Sequence, residues 1–437
     1  MIPEHESARL SGAGPEPAET GSGKKPKKEP KRIRVSLLLA VFIALLLCLA
    51  TFLTTYSVLT LKEDAETAAL KARLARFSKL EGMLDTITDR YVDEADASER
   101  LEKAYAGLFD DLDPYSYYMS AEDYAAFRAD GESNYAGIGA SITCDPVTEG
   151  MYVYRVLPDG PAEKAGLRIG DIVVAVDGVS LTASTFSAAV SAVAGDPGTA
   201  VVLTVLRGGG PLSREDLTVT RAIVASRAVW YQKRDNGVAY IEITDFSGNY
   251  VVDQFKAALE QAKSDGCTAC LFDVRNNPGG DLNVICSVLD LLLPEGPIVH
   301  IVSGESEGQT VERVISSDAE QLFTGPMAVL CNGSTASAAE LFTADLKEYG
   351  LAVVVGETTH GKGSVQSIFT CPDGSGYKLT TSYYTPKSGV GYHKKGVTPD
   401  VEITLSDDPN ANRYRMSDAE DRQLQKALEV LNKQQTH

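Results

Sequence analysis

Residues 35–61 form a run of 27 positions without a charge, and about 20 apolar residues suffice to cross the hydrocarbon core of a bilayer. The run therefore predicts one transmembrane helix. Lys24, Lys25, Lys27, Lys28, Lys31, Arg32 and Arg34 precede it, while Glu63, Asp64 and Glu66 follow. By the positive-inside rule this charge step holds the N-terminus in the cytoplasm and places everything after Leu61 outside it, the arrangement of a single-pass cell-membrane protein. A cleaved signal peptide would instead show an apolar region of about 7–15 residues ending in a small-x-small site. Leu47 before Cys48 also makes a poor lipoprotein site.

The charge balance excludes one large class of partners. Residues 1–34 carry eight Lys/Arg against five Glu, a net of +3, so the rest of the chain supplies −22 toward the total of −19. An acidic body of this kind argues against nucleic acid, whose binding rests on neutralising phosphates with Lys and Arg. The seven cysteines show no metal-ligand spacing. Cys267 and Cys270 form a lone C-x-x-C in a segment that reads as a strand leaving a helix, so they are expected as core thiols.

At 437 residues the chain has room for two or three domains. Residues 1–34 are rich in Pro, Gly, Glu and Lys and lack apolar periodicity, the composition of a disordered basic tail. Leu70, Leu74, Phe77, Leu80, Leu84 and Ile87 recur at spacings of three and four, which predicts a helical segment over 62–133 with a stripe for a core or a dimer seam. Residues 134–222 alternate short β-rich runs, such as 172–176 and 201–206, with turn signals at Asp177-Gly178 and Gly208-Gly209-Gly210, giving a small β-rich module. From Trp230 onward strand and helix alternate. Strands are expected at 238–243, 271–274, 327–330 and 351–355. Helices are expected on the face Phe255, Ala258, Leu259, Ala262, over 282–292 and over 338–348, with a β-rich run at 364–385. The fold class is α/β and multi-domain, with functional groups on loops at strand ends of a core spanning 223–405. Residues 406–437 are expected as a C-terminal helical tail.

Two loops follow apolar strands and have no packing use for their residues. In Asn332-Gly333-Ser334-Thr335-Ala336-Ser337-Ala338-Ala339-Glu340, the serine that opens a helix is either a plain N-cap or a nucleophile with free backbone N–H groups beside it. The second, Gly356 through Ser364, mimics the phosphate loop G-x-x-x-x-G-K-[ST]. Gly363, however, stands where Ser or Thr must hold Mg²⁺, and 365–369 reads as strand where a helix must follow. Lys362 fits better as a general base. Its reference pKa near 10.4 must fall by about three units, costing about 4 kcal/mol, before a useful neutral fraction exists; burial between glycines and apolar strands is a means of supplying such a shift. A neutral amine beside a hydroxyl makes a Ser-Lys dyad. No histidine sits in a triad context, although His360 stands two residues from Lys362. A third loop, Arg275-Asn276-Asn277-Pro278-Gly279-Gly280, is either a rigid strand-to-helix turn or a source of oxyanion-binding N–H groups.

Seven motifs, in this order, resemble the C-terminal processing peptidases, or tail-specific serine proteases. They are Leu112-Asp113-Pro114-Tyr115-Ser116, Gly137-Ile138-Gly139-Ala140, Ala165-Gly166-Leu167-Arg168-Ile169-Gly170-Asp171, the loop from Arg275 to Gly280, Thr335-Ala336-Ser337, Gly361-Lys362-Gly363-Ser364-Val365-Gln366, and Gly396-Val397-Thr398-Pro399-Asp400. The resemblance runs over about residues 80–405 and departs only slightly, with Thr335 where Ser is commoner and an unusual Gly391-Tyr392-His393-Lys394-Lys395. It implies Ser337 as nucleophile, Lys362 as base and Gln366 as the residue that orients the base. It implies an oxyanion hole from the N–H of Ala338 and one of the Gly279-Gly280 pair, Gly280 being the expected one. The fold implied is a crotonase-like core carrying a PDZ domain. That domain would capture a substrate's free C-terminus as an added strand, its carboxylate on Gly137, Ile138, Gly139 and Ala140, although glycines in such a loop also serve plain turns. The function implied is a membrane-anchored serine endopeptidase that cleaves extracytoplasmic proteins near their C-termini, needs neither metal nor organic cofactor, and takes protein or peptide substrates. The rival reading is a non-catalytic PDZ adaptor with an inactive core, against which the intact Ser337, Lys362 and Gln366 speak. A homodimer stays open.

Overall fold

A computed structural model describes residues 36–129, 134–145, 147–182, 184–208, 213–306, 309–318, 320–408 and 410–435. The expected basic tail at 1–34 and the turn residues Gly209 and Gly210 lie outside the described residues. The chain divides into two compact units, 1–97 and 98–437.

The first unit is dominated by the helix Leu37–Arg90, about 80 Å long at 1.5 Å per residue. Its N-terminal half has a window of mean hydropathy 2.6 and is apolar and long enough to cross a membrane. Leu70, Leu74, Phe77, Leu80 and Ile87 of the stripe are exposed.

In the second unit the α/β core is a six-stranded sheet. Its strands are ordered Val229–Lys233, Val238–Ile243, Ala269–Asp273, Met327–Cys331, Ala352–Gly356 and Val401–Glu402, parallel after the first pair. Ala269–Asp273 and Met327–Cys331 are buried along their whole length. Burial on both faces is why these strands read as unbroken apolar runs rather than alternating ones. The helices Tyr250–Ser264, Leu282–Asp290 and Ala338–Glu348 pack into one cluster around Phe246, Phe255, Phe272 and Phe342. The opposite face is closed by the helix Arg422–Gln435, which buries Leu424, Ala427 and Leu431. Full burial of a leucine contributes about 1.5–3 kcal/mol, so this C-terminal helix is part of the core. Cys267 and Cys270 are buried free thiols in the phenylalanine cluster on the first face, as expected of core residues.

A second, antiparallel sheet joins Gly296–Ser306, Gln309–Ser317, Ser364–Thr370 and Gly376–Thr385. Its fifth strand, Tyr117–Met119, falls inside the segment that periodicity reads as helical. The helix Ala97–Gly107 has already ended, Pro114 keeps a helix from resuming by removing a donor and restricting the residue before it, and the aromatic pair Tyr117-Tyr118 then suits a strand.

The β-rich module is a six-stranded antiparallel sheet of Ala140–Cys144, Met151–Val156, Ile172–Val176, Val179–Ser180, Ala200–Arg207 and Ser213–Thr220, with the helix Phe186–Val193 beside it. It has its own core of Met151, Val153, Leu167, Val201, Leu203 and Val219. A chain of ion pairs links it to the α/β core: Arg155 meets Glu242, which also meets Arg413, and Arg413 bonds Asp273. Asp273 further holds Arg275, which reaches Asp421. Burial alone would raise the Asp273 pKa, but Arg275 and Arg413 hold it well below the usual carboxylate range. Tyr414 stacks on Tyr154 at 3.8 Å, so residues 412–415 strap the module to the core.

Candidate active site

Ser337 sits between the strand Met327–Cys331 and the helix Ala338–Glu348, as its N-cap, at φ 55° and ψ −120°. A non-glycine residue in this region costs about 1–3 kcal/mol and persists only where its surroundings over-determine it. Here the determinant is Glu340, fully buried. One of its oxygens accepts from Ser337 N at 2.8 Å and Lys362 N at 2.7 Å; the other accepts from Gly361 N at 2.6 Å and Thr359 Oγ1 at 2.5 Å. One carboxylate thus fixes both chemistry-bearing loops. The capping pattern Ser-x-x-Glu is legible in the sequence, but the second half of Glu340's bonding lies across the fold, and sequence reasoning missed it.

The loop 275–280 docks on the same place. Asn276 and Asn332 exchange hydrogen bonds, Ala336 N donates to Asn277 O, and Thr335 Oγ1 donates to Val274 O. Gly279, at φ 104°, packs directly on the serine: a Cβ there would lie 2.6 Å from Ser337 Cβ and 2.9 Å from Ala338 N. Gly280 backs onto Phe246, where a Cβ would lie 2.2 Å from the carbonyl carbon. Gly279 N donates to Asn277 Oδ1.

Lys362 is half-buried, and burial holds its ammonium below the ordinary lysine value, reinforced by Lys378 and opposed by Asp113 and Glu340. Its Nζ lies 4.3 Å from the centroid of the Tyr115 ring. Among the described residues no hydrogen bond joins Ser337 Oγ to Lys362 Nζ. Gln366 is not on Lys362 either; its Nε2 donates to Ser364 Oγ at 3.0 Å and to Thr380 Oγ1 at 3.1 Å, and Thr380 Oγ1 in turn donates to Asp113 Oδ1. Tyr384, which sequence reasoning did not single out, places its hydroxyl between the two loops. It donates to Lys362 O at 3.0 Å and lies in hydrogen-bond reach of Ser337. His360 meets Tyr115, with 3.2 Å between Nε2 and the hydroxyl.

Residues 137–140 close the end of a groove between the strand Ala140–Cys144 and the helix Phe186–Val193. They line a cavity of about 210 Å³ together with Ile142, Met151, Val153, Leu167, Val190 and Val193. Such a groove accepts an extended chain as an added strand, with an apolar end group beneath it. No cluster of metal-ligating side chains occurs among the described residues.

Comparison with known proteins agrees with this geometry. Residues 237–403 match peptidase family S41, 152–207 a PDZ domain and 50–123 the N-terminal domain of the activating protease CtpB. The carboxy-terminal processing protease CtpA of Bacillus subtilis is 30% identical over 87% of this chain and 78% of its own. The carboxyl-terminal-processing protease of Synechocystis is 31% identical over 73% of this chain and 74% of its own. A Bacteroides fragilis structure described as an S41 protease shares the fold, with a TM-score of 0.53 at 17% identity over 80% of this chain and 97% of that one. A parallel core with its serine loop on a helix start, a PDZ module strapped to it, and relatives alike over most of their length lead to one assignment: the chain belongs to peptidase family S41, among its C-terminal processing serine endopeptidases.

Proposed function

We propose that this chain is a membrane-anchored Ser-Lys endopeptidase, with Ser337 as nucleophile and Lys362 as general base, whose PDZ domain selects extracytoplasmic proteins by their free C-termini. The helix Leu37–Arg90 would carry the anchor and the basic stretch before it would stay cytoplasmic. The observation that supports the dyad is the shared carboxylate: Glu340 takes the backbone N–H of Ser337 and of Lys362 on one oxygen, so the two side chains start from neighbouring points.

In this reading the neutral amine of Lys362 takes the proton of Ser337 Oγ as that oxygen attacks the scissile carbonyl, then returns it to the leaving amine; water repeats both steps on the acyl-enzyme. The oxyanion would face Ala338 N–H at the helix start and Gly280 N–H, since the Gly279 N–H is committed to Asn277. Gln366 would orient the amine once its side chain turns from Ser364 and Thr380. Domain bounds of 134–222 for the PDZ module and 223–405 for the catalytic core fit this division of labour.

Two outcomes are expected. First, a peptide with a free apolar C-terminus is cleaved at least about tenfold more efficiently than its C-terminal amide, the cost of losing one charge-assisted anchor. Equal cleavage of both would remove the tail-selecting role, and tight binding of both without cleavage would favour the adaptor. Second, kcat/KM rises with pH along an acid limb below the ordinary lysine value of about 10.4. The sign follows because the base acts only when neutral and burial, the largest influence on Lys362, favours that form.

A further inference from the structure

Lys362 is the group that must approach Ser337, yet its ammonium has a different companion. Tyr115 comes from the turn Asp113-Pro114-Tyr115-Ser116, far away in sequence, and the turn is pinned to the catalytic sheet. Asp113 accepts from Tyr115 N, Ser116 Oγ and Thr380 Oγ1, and Thr380 N donates to Ser116 Oγ. The ring lies 4.3 Å from Lys362 Nζ, within the range of about 6 Å in which a cation is drawn to an aromatic face. Its hydroxyl meets His360 Nε2 at 3.2 Å, and His360 N donates to Thr335 O in the serine loop.

We infer that Tyr115 is a positioning residue for the reaction: its ring, held by His360 and by the Asp113 turn, parks the Lys362 side chain away from Ser337 until peptide fills the cleft. The inference rests on Lys362 being the base. The ring attracts the ammonium and not the neutral amine, so the park stabilises the form that cannot accept a proton. The other groups that bear on Lys362 are Lys378 from the strand Gly376–Thr385, Asp113 from the same turn as Tyr115, and Glu340 beneath the backbone. All three stay in place when only the ring is changed. The turn also receives Gln366 through Thr380, so the base and the side chain expected to orient it are held off by one short segment.

The test is the pH profile of kcat/KM on a peptide substrate, measured with the full chain. Tyr115→Leu keeps apolar cover and removes the π face; the acid limb is expected to move down by about half to one and a half pH units. Tyr115→Phe keeps the face and loses only the contact to His360, while the Asp113 turn still pins the ring's backbone, so its limb is expected to stay with the wild type. Ring-fluorinated phenylalanines at 115 conserve shape, which guards against a leucine variant that fails to fold, and should lower the limb step by step as the face loses negative charge. A limb unmoved by leucine or by fluorination, with only the plateau reduced, would mean a purely structural role and overturn the inference. Activity retained in Lys362→Met would overturn the dyad itself, and is read from a separate variant.

Discussion

Ser337→Ala and Lys362→Met are each expected to lower kcat/KM for a tail-bearing peptide by roughly 10⁴-fold or more, and the double variant by no more than the worse single one. The reason lies in the proposed dyad, in which hydroxyl and amine act as one unit: without the oxygen there would be no acyl-enzyme, and without the amine the oxygen would keep its proton. What would remain is the groove and the backbone donors proposed at Ala338 and Gly280, which would give a residual rate but no covalent turnover. Neither change should disturb the fold. Ser337 joins the Glu340 network through its backbone N–H, which alanine retains, and Lys362 also binds Glu340 through its backbone. Methionine keeps the apolar stem of lysine that packs beside Tyr115. Tail-peptide binding should therefore be unchanged in both variants, measured by fluorescence anisotropy beside the cleavage assay. Cleavage at wild-type rate in either variant would refute the dyad.

Much of this is legible in the sequence, for identifiable reasons. The parallel strands declare themselves because strands buried on both faces are unbroken apolar runs, as Met327–Cys331 is. The serine loop and the glycine loop declare themselves because small polar residues after such a strand cannot be there for packing. Three features were not legible. The strand Tyr117–Met119 is too short to show a period of two and follows a helical stripe, so only its pairing with Gly376–Thr385 reveals it. The segment 406–437 reads from sequence only as a helical tail, and the place of the helix Arg422–Gln435 in the core depends on the far face of the sheet being left open for Leu424, Ala427 and Leu431. The environment of Lys362 is assembled from Tyr115, Tyr384 and Lys378, residues from 22 positions later to well over 200 earlier in the chain, and no local pattern encodes such a meeting. Distances along the sequence hide what distances in space decide.

Glu340 shows how far a single buried group can reach from that hidden layer. Glu340→Gln preserves shape and volume, yet it replaces one acceptor oxygen with an NH₂ group that faces two donors. If the amide oxygen takes Gly361 N and Thr359 Oγ1, then Ser337 N and Lys362 N confront the amide hydrogens; the opposite flip strands Gly361 N, while the Thr359 hydroxyl turns to accept from the amide. The first flip strands two N–H donors and the second only Gly361 N, in a site with no exposure; each unsatisfied buried group costs about 1–3 kcal/mol, so the amide settles in the second flip and a loss of about 1–3 kcal/mol is expected. Thr359 adds a second-order effect, because its Oγ1 also accepts from Val397 N at 2.7 Å and would have to turn. The catalytic loss should exceed the loss of fold. Ser337 holds its φ of 55° against about 1–3 kcal/mol of strain, and with the Glu340 restraint weakened from a charge-assisted to a neutral hydrogen bond the backbone relaxes toward an ordinary N-cap, swinging the hydroxyl away from the Gly279–Gly280 loop. Misplacement of a reacting atom by about 1 Å costs on the order of 10²-fold in rate. The expected result is a protein that melts earlier yet still binds tail peptide, with kcat down by at least that factor and KM nearly unchanged. A Glu340→Gln variant with full kcat and reduced melting temperature would show that the carboxylate supports the fold alone and that the geometry of Ser337 is set elsewhere.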